Sequence, residues 1–373
     1  MNNNTMAFGA NLKMLRKKAG YTRAELAEII AYSEKSIEKW EHSGSVPPVE
    51  TLCKLSELFG ITLDALVYAP TMEIKYLLAI DGGGTKTEFL LTDINKKEIA
   101  RVSLGASNAV DIGMENTQKI LESGIREVCR GINLREVSAF VGLAGGMTGG
   151  NKEKIREFLS KFNFGLCDNG SDTESVLELA LKGGDGVAVI MGTGIVAFAQ
   201  KDGVRHRIGG WGYHIDKGGC GYNIASEAMY SALKYIDGRD GSLVLRELIE
   251  EKLGKSLPDS IADIHNGGKA YIASFAPLVF DAYSMGDKYA IHIIDANIKE
   301  VSEMIAVGLK TISDKGSPVV ILGGLCRRQD ILLPVLQKHL GDNVNIIFSN
   351  EPVVNGALML AEKRRNEQCL KQK

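Results

Sequence analysis

Apolar positions recur at helical spacing through the first 68 residues and at strand spacing, broken by helices, after them. Residues 8–19 (FGANLKMLRKKA) place apolar side chains three and four apart and stop at Gly20, which predicts an amphipathic helix. Thr22 stands where a cap is needed for a short helix, RAELAEII, whose Leu26, Ala27 and Ile30 face inward. A brief turn at Ala31-Tyr32 leads to Ser33, the cap of a third helix, EKSIEKWEH. Pro47-Pro48 open a fourth, VETLCKLSELFG, and ITLDALVY closes the unit.

The texture changes at Ala69-Pro70-Thr71-Met72, a linker of a few residues. KYLLAID then reads as a buried strand, which the glycines at 82–84 turn into a second, EFLLTD, followed by EIARVSL. Residues 113–131 read as a helix and VSAFVGLAG as a strand. VAVIMGTGIVAFAQ repeats the strand–glycine turn–strand design of LLAIDGGGTKTEFLLTD about 110 residues later, which suggests two related lobes. Most of 218–314 is helical. PVVILGGL and NVNIIFS supply late strands before a final helix at 353–365. The expected organisation is a small all-α domain over 1–70 and two α/β lobes, 74–185 and 186–373, with the C-terminal helix free to return to the first lobe.

Composition narrows the function. With 373 residues and 45% apolar residues the chain can build more than one core. A formal net charge of −2 means that any nucleic-acid contact is local. The six cysteines (Cys53, Cys129, Cys167, Cys220, Cys326, Cys369) lack CxxC spacing, which fits reduced thiols and excludes a zinc motif. MNNNTMAFG has no basic stretch followed by an apolar one, and no apolar run approaches the ~20 residues that span a bilayer, so a soluble cytoplasmic protein without a membrane partner is expected.

The run GYTRAELAEIIAYSEKSIEKWE, from Gly20 to Glu41, resembles the Cro/phage-repressor helix-turn-helix family through Thr22, Leu26-Ala27, Ser33, Ile37 and Trp40-Glu41. The resemblance covers residues 8–68. It implies that the third helix enters a major groove, with Glu34, Lys35, Ser36 and Lys39 facing an operator and Arg23 on the phosphate backbone. Residues 1–70 carry eight basic and eight acidic side chains. That balance gives a single copy modest phosphate-driven affinity, so tight operator binding calls for a homodimer. The plainer alternative is a helical protein-interaction module.

In the remainder, Asp81-Gly82-Gly83-Gly84-Thr85-Lys86-Thr87 joins two strands. Glycines there let backbone N–H groups approach a phosphate, and an aspartate at the strand end can hold a magnesium-bound water. The spacing is not that of a Walker loop, and a structural β-turn would look the same. Gly192-Thr193-Gly194 forms a second such turn, and Gly323-Gly324 ends a late strand.

Three glycine turns after apolar strands, in this order, resemble the BadF/BadG/BcrA/BcrD-type ATPases and N-acetylglucosamine kinases of the sugar kinase/Hsp70/actin superfamily, over residues 75–365. The resemblance implies a two-lobed actin-like fold of duplicated ribonuclease H-like halves, with ATP and Mg²⁺ as cofactors. Asp81, Gly83, Gly84, Thr85 and Lys86 would form the first phosphate motif, with Asp81 toward the metal. Gly192, Thr193 and Gly194 would form the second, and Gly323 and Gly324 the adenosine motif. Ser107, Asn108, Gly145, Gly146 and Asp216 would meet the sugar, and Asp172 would be the catalytic base, with Asp168 as its nearby substitute.

GGWGYHIDKGGCGYNIASEA departs from the family's pattern at Lys217, where Glu is usual, and at Cys220, where Ser is usual. Ile195 likewise replaces the Ser that follows the second turn. Cys220 has no second cysteine in a matching motif for an iron–sulfur cluster. Trp211 reads as a packing anchor, with a sugar platform as its other reading, and His214 as incidental. The implied activity is phosphoryl transfer from Mg–ATP to O6 of an amino sugar, N-acetylglucosamine above all, coupled to transcription. Two alternatives stand: a regulator whose kinase-like part only senses sugar or nucleotide, and an ATPase that activates a partner enzyme.

Overall fold

The computed structural model describes residues 4–42, 45–67, 74–213, 215–313 and 316–371. The linker at 69–72 and His214 lie outside them. The chain divides into two compact units, residues 1–73 and 74–373.

The first unit is helical: α1 (Asn4–Lys18), α2 (Arg23–Ile30), α3 (Glu34–His42), α4 (Val49–Phe59) and α5 (Leu63–Val67). Its local signals are realised. Thr22 Oγ accepts from the Glu25 N–H while the Glu25 carboxylate reaches back to the Thr22 N–H, a reciprocal cap. Ser33 Oγ accepts from the Ser36 N–H at 3.2 Å. Between α2 and α3 the turn rests on Ala31, held at φ 61° in the left-handed region. Phe8, Leu12, Leu26, Ile37 and Leu55 are fully buried in the shared core.

The second unit contains two five-stranded sheets. One has order β3-β2-β1-β4-β5, from β1 (Tyr76–Gly82), β2 (Lys86–Asp93), β3 (Glu98–Gly105), β4 (Val137–Leu143) and β5 (Leu166–Ser171). The other has order β8-β7-β6-β9-β10, from β6 (Gly186–Met191), β7 (Ile195–Lys201), β8 (Val204–Ile208), β9 (Val319–Leu322) and β10 (Ile346–Ser349). In each, three strands form an antiparallel meander and the next two run parallel to the first. The sequence repeat is therefore a repeat of topology. Parallel pairing requires crossovers. These are α6 (Ala109–Ile112) with α7 (Met114–Val128), then α8 (Asn151–Ser160), in the first lobe. The second lobe uses α10 (Gly221–Ile236), α11 (Leu243–Leu253), α12 (Ile261–Ala273), α13 (Ala276–Ser284) and α14 (Lys288–Ile312), then α15 (Gln329–Leu340).

Each meander-plus-two is followed by one more helix: α9 (Asp172–Leu181) after β5 and α16 (Val354–Lys371) after β10. They are exchanged. Val176, Leu177 and Leu179 of α9 pack with Ala188, Val320 and Leu322 of the second sheet. Val354, Ala357, Leu358 and Ala361 of α16 pack with Leu77, Ala79 and Phe140 of the first. Ser138 Oγ on β4 donates to the Ala361 carbonyl at 2.7 Å, tying α16 to that sheet. Among the described residues no helix is long and apolar enough to cross a membrane.

Candidate functional site

The ends of β1, β5 and β6 carry the residues of interest. Asp81, the penultimate residue of β1, is in register with Glu88 on β2 and Gly142 on β4. Past it the Gly83 N–H donates to the Lys86 carbonyl at 2.9 Å, leaving Gly84, Thr85 and Lys86 exposed at the tip of a tight turn. Lys86 Nζ lies 3.0 Å from Glu88, which also pairs with Arg101. Its ammonium, expected to donate to a phosphate, is engaged along the strand in this structure.

Ser171 ends β5 and caps α9. Its Oγ accepts from the Glu174 N–H at 3.3 Å, and Glu174 returns the bond to the Ser171 N–H at 3.4 Å. That capping box makes Asp172 the first helical residue, with Oδ1 accepting from the Thr173 N–H at 2.9 Å. Burial raises the Asp172 carboxyl above its ordinary value, against the pull of the Thr173 N–H. Burial, the Asp172 charge and Glu88 push Asp81 up to about 7. The two carboxyls thus share one field at the mouth of the first lobe. Asp168, the proposed substitute, accepts instead from Arg364 on α16 and from the Asn169 N–H at 3.0 Å. It holds α16 down.

Beside this pair lie the sugar-side candidates. The Ser107 N–H donates to the Gly83 carbonyl at 3.1 Å, and Ser107 Oγ is buried without a hydrogen-bond partner. An orphaned buried hydroxyl calls for a ligand or a water. Asn108 caps α6 through Oδ1 and donates Nδ2 to Asp111 at 2.7 Å. A Cβ on Gly145 would sit 2.4 Å from Asn108 Oδ1, so the two are immediate neighbours. The Gly146 N–H donates to the Leu143 carbonyl at 2.9 Å, ending β4. Asp111, three residues after Asn108, was not singled out in the sequence, although an Asn-x-x-Asp pair opening a helix is a legible signal.

The second lobe supplies the other wall. Gly192 closes its turn by donating to the Gly194 carbonyl at 2.9 Å, and the Gly192 carbonyl accepts from the Gly221 N–H at 2.8 Å, so α10 begins on the turn. Gly192, Thr193, Gly221 and Gly324 line one cavity of about 450 Å³ with Ala270, Ser274, Pro277 and Arg327. Gly323 holds φ 117°, and a Cβ there would lie 2.3 Å from the Met191 carbonyl oxygen, so only glycine lets β9 end against β6. Arg327 was not anticipated; it follows the Gly-Gly pair by three residues. An adjoining cavity of about 170 Å³ holds Gly194, Ile195, Asp216, Cys220 and Lys269.

Asp216 accepts from the backbone N–H groups of Trp211 and Gly212, the latter at 3.3 Å, and so braces the glycine-rich loop. Cys220 is buried at the start of α10 with Sγ 2.6 Å from Asn223 Oδ1, and its burial raises the thiol above its usual value. The five cysteines with described side chains are free thiols. Trp211 is 65% exposed and lies against the Arg207 guanidinium, whose Cζ is 4.7 Å from the ring centre. The packing-anchor reading of Trp211 is therefore corrected: two left-handed glycines before it lift the ring out of the core.

The described residues contain no group of three or more metal-ligating side chains. Magnesium, which is held by one or two carboxylates plus substrate phosphates, fits the Asp81 carboxylate.

In the helical unit, Glu34, Lys35 and Lys39 are exposed on α3, and Ser36 is half-buried with Oγ 2.9 Å from Ser33 Oγ. Arg23 Nε donates to Glu41 at 2.9 Å, where Arg16 also pairs at 2.7 Å. Arg23 is bound into this network rather than standing clear on the surface.

The BadF/BadG/BcrA/BcrD ATPase family profile matches residues 78–361, and a helix-turn-helix profile matches residues 12–66. The chain belongs to the BadF/BadG/BcrA/BcrD ATPase family and carries a helix-turn-helix domain. It is 30% identical over 301 residues to the N-acetylmuramic acid/N-acetylglucosamine kinase of Clostridium acetobutylicum, covering 77% of this chain and 98% of that one. Its N-terminal part is 34% identical over 94 residues to the transcriptional regulator ImmR of Bacillus subtilis, covering 25% of this chain and 63% of the relative. A solved structure presented as an N-acetylglucosamine kinase of Chromobacterium violaceum superposes with TM-score 0.60 at 26% identity, covering 77% of this chain and 99% of that one. The fold is also that of a ROK family transcriptional regulator, a homolog of the E. coli MLC protein, with TM-score 0.52 at 14% identity over 97% of this chain and 96% of that one.

Proposed function

We propose that this chain phosphorylates an amino sugar, N-acetylglucosamine above all, with Mg–ATP, and that sugar occupancy sets the affinity of its helix-turn-helix domain for an operator. One observation carries the kinase reading. Gly192, Thr193 and Gly324, far apart in sequence, line one cavity, while Asp81 and Asp172 interact at the facing strand ends. The first constellation suits a nucleotide. The second suits a metal and a base.

In this reading the backbone of 83–85 and 192–194 holds phosphates, and Gly323-Gly324 leaves room for adenosine. Ser107 and Asn108 orient the sugar. Asp81 would hold Mg²⁺, which supplies charge neutralisation on the phosphates when bound. Asp172 accepts the proton of the sugar hydroxyl, and burial favours that by raising its basicity. The helix-turn-helix acts as a homodimer on a palindromic site, with Lys35 and Lys39 toward DNA.

A second reading has its own support: Ile195 and Cys220 leave the second-lobe cavity without the two hydroxyls usual in this family, so the lobes would sense a sugar and not turn it over. Measuring ADP release against a panel of amino sugars, beside calorimetric binding of the same sugars, separates the two. Sugar-dependent ADP release supports the kinase; tight sugar binding without release supports the sensor.

A further inference from the structure

Arg207 is the penultimate residue of β8, just ahead of the Gly209-Gly210-Trp211-Gly212 loop. Its Nε donates to the Gly209 carbonyl at 3.0 Å, and one Nη donates to the Gly210 carbonyl. Both glycines are left-handed, at φ 66° and 77°, a succession that L side chains rarely adopt. The loop thus presents two consecutive carbonyls to one guanidinium. Trp211 covers a face of that guanidinium at 4.7 Å, which fixes its plane.

Three further observations bear on its use. Arg207 pairs with no carboxylate among the described residues, so its remaining N–H donors face solvent uncommitted. A Cβ on Gly210 would lie 2.7 Å from Val196 and 2.9 Å from Arg207 Nη2, which puts the guanidinium beside the start of β7, next to the 192–194 turn. Asp172, on the other lobe, feels its positive charge. On the kinase reading, a cation beside the start of β7 and within electrostatic reach of the candidate base lies on the path of the transferring phosphoryl group. Lys86, the other cation considered for the phosphates, is engaged by Glu88 at 3.0 Å.

We propose that Arg207 is the cation that neutralises the transferring phosphoryl group, an arginine supplied in cis by the glycine-rich loop. The inference rests on the kinase reading above. The sugar hydroxyl oxygen forms a bond to the γ-phosphorus as the bond from that phosphorus to the β,γ-bridging oxygen breaks. The bonding electron pair leaves on ADP, and the hydroxyl proton goes to the Asp172 carboxylate. Negative charge spreads over three equatorial oxygens during this passage, and a planar guanidinium can meet two of them at once. A lysine offers a point charge without the fork.

The test is calorimetric, on the full chain, with Mg²⁺, N-acetylglucosamine and either ADP alone or ADP with aluminium fluoride, which imitates the transferring group. The expected result is that Arg207→Gln weakens the aluminium fluoride complex on the order of 100-fold while ADP affinity moves less than about threefold. Arg207→Lys should recover part of the loss, and Trp211→Phe should keep most of the wild-type affinity. The proposal is overturned if Arg207→Gln binds both ligands as the wild type does, or loses both in equal proportion, the mark of an arginine that only braces its loop. Sugar-dependent ADP release by the wild type reports on the kinase reading separately. Release with no Arg207 effect removes this inference alone; no release, with no preference for the fluoride complex over ADP, removes both.

Discussion

Gly356 on α16 lies so close to Ser175 on α9 that a Cβ at position 356 would sit 1.8 Å from the Ser175 carbonyl oxygen. This contact marks the crossing at which each lobe receives the helix that follows the other lobe's last strand. Nothing larger than hydrogen fits. Gly356→Ala must therefore push the helices apart, and overpacking of this kind typically costs ~1–3 kcal/mol. The expected outcome is a lower urea midpoint for the second unit with an unchanged m-value, measured by far-ultraviolet circular dichroism. An unchanged midpoint would mean that the helices cross further apart.

Glu41 gives the helical unit a pH dependence. It is fully buried and, although desolvation opposes it, the Arg16 and Arg23 hydrogen bonds hold its carboxyl below the ordinary glutamate value. A carboxyl lowered in the folded state stabilises fully above its unfolded value and loses that stabilisation as pH falls through the folded one. Glu41→Gln leaves the buried Arg16 guanidinium without its carboxylate, at a cost of ~3 kcal/mol near neutrality. Urea titrations at pH 7 and pH 3 should show wild type and variant far apart at the first and converging at the second.

Ala31 occupies a left-handed conformation at φ 61° in the turn between α2 and α3. Such a conformation costs an L residue roughly 1–2 kcal/mol, part of which glycine returns as unfolded-chain entropy. Ala31→Gly should raise the stability of the helical unit by somewhat under ~1 kcal/mol without altering α3. Destabilisation instead would place the turn in another conformation.

Lys35 and Lys39 stand on the exposed face of α3. Lys35→Ala and Lys39→Ala should each weaken operator binding and flatten its salt dependence by about one counterion, leaving nucleotide affinity untouched. Fluorescence anisotropy on upstream genomic fragments, at several stated salt concentrations, measures this. Adding the cognate sugar should shift specific affinity by roughly 5–150-fold.

Much of this architecture was legible because local and global signals agree. Thr22 and Glu25, Ser33, and the apolar runs of β1, β4 and β6 each point to the element they form. The strand β5 was not legible: LCDNGS has neither alternation nor apolar continuity, and its place at the sheet edge comes from backbone pairing to β4 alone. The crossing of α9 onto the second sheet is equally silent, since one apolar helix face suits either sheet. Within the candidate site, glycine turns announce themselves through composition. The engagement of Lys86 by Glu88, two residues on along the same face of β2, follows from strand periodicity, whereas the exposure of Trp211 depends on loop handedness, which no motif spacing encodes.

The central claim is that Asp172, raised by burial at the start of α9, takes the proton of an amino-sugar hydroxyl while ATP is held by the facing glycine turns. The most direct measurement is N-acetylglucosamine-dependent ADP release by wild type and Asp172→Asn under saturating Mg–ATP, with sugar affinity followed by calorimetry. The account predicts wild-type turnover, a loss of ~10²–10⁴-fold in the variant, and nearly equal sugar affinity. Turnover by Asp172→Asn at the wild-type rate would contradict it.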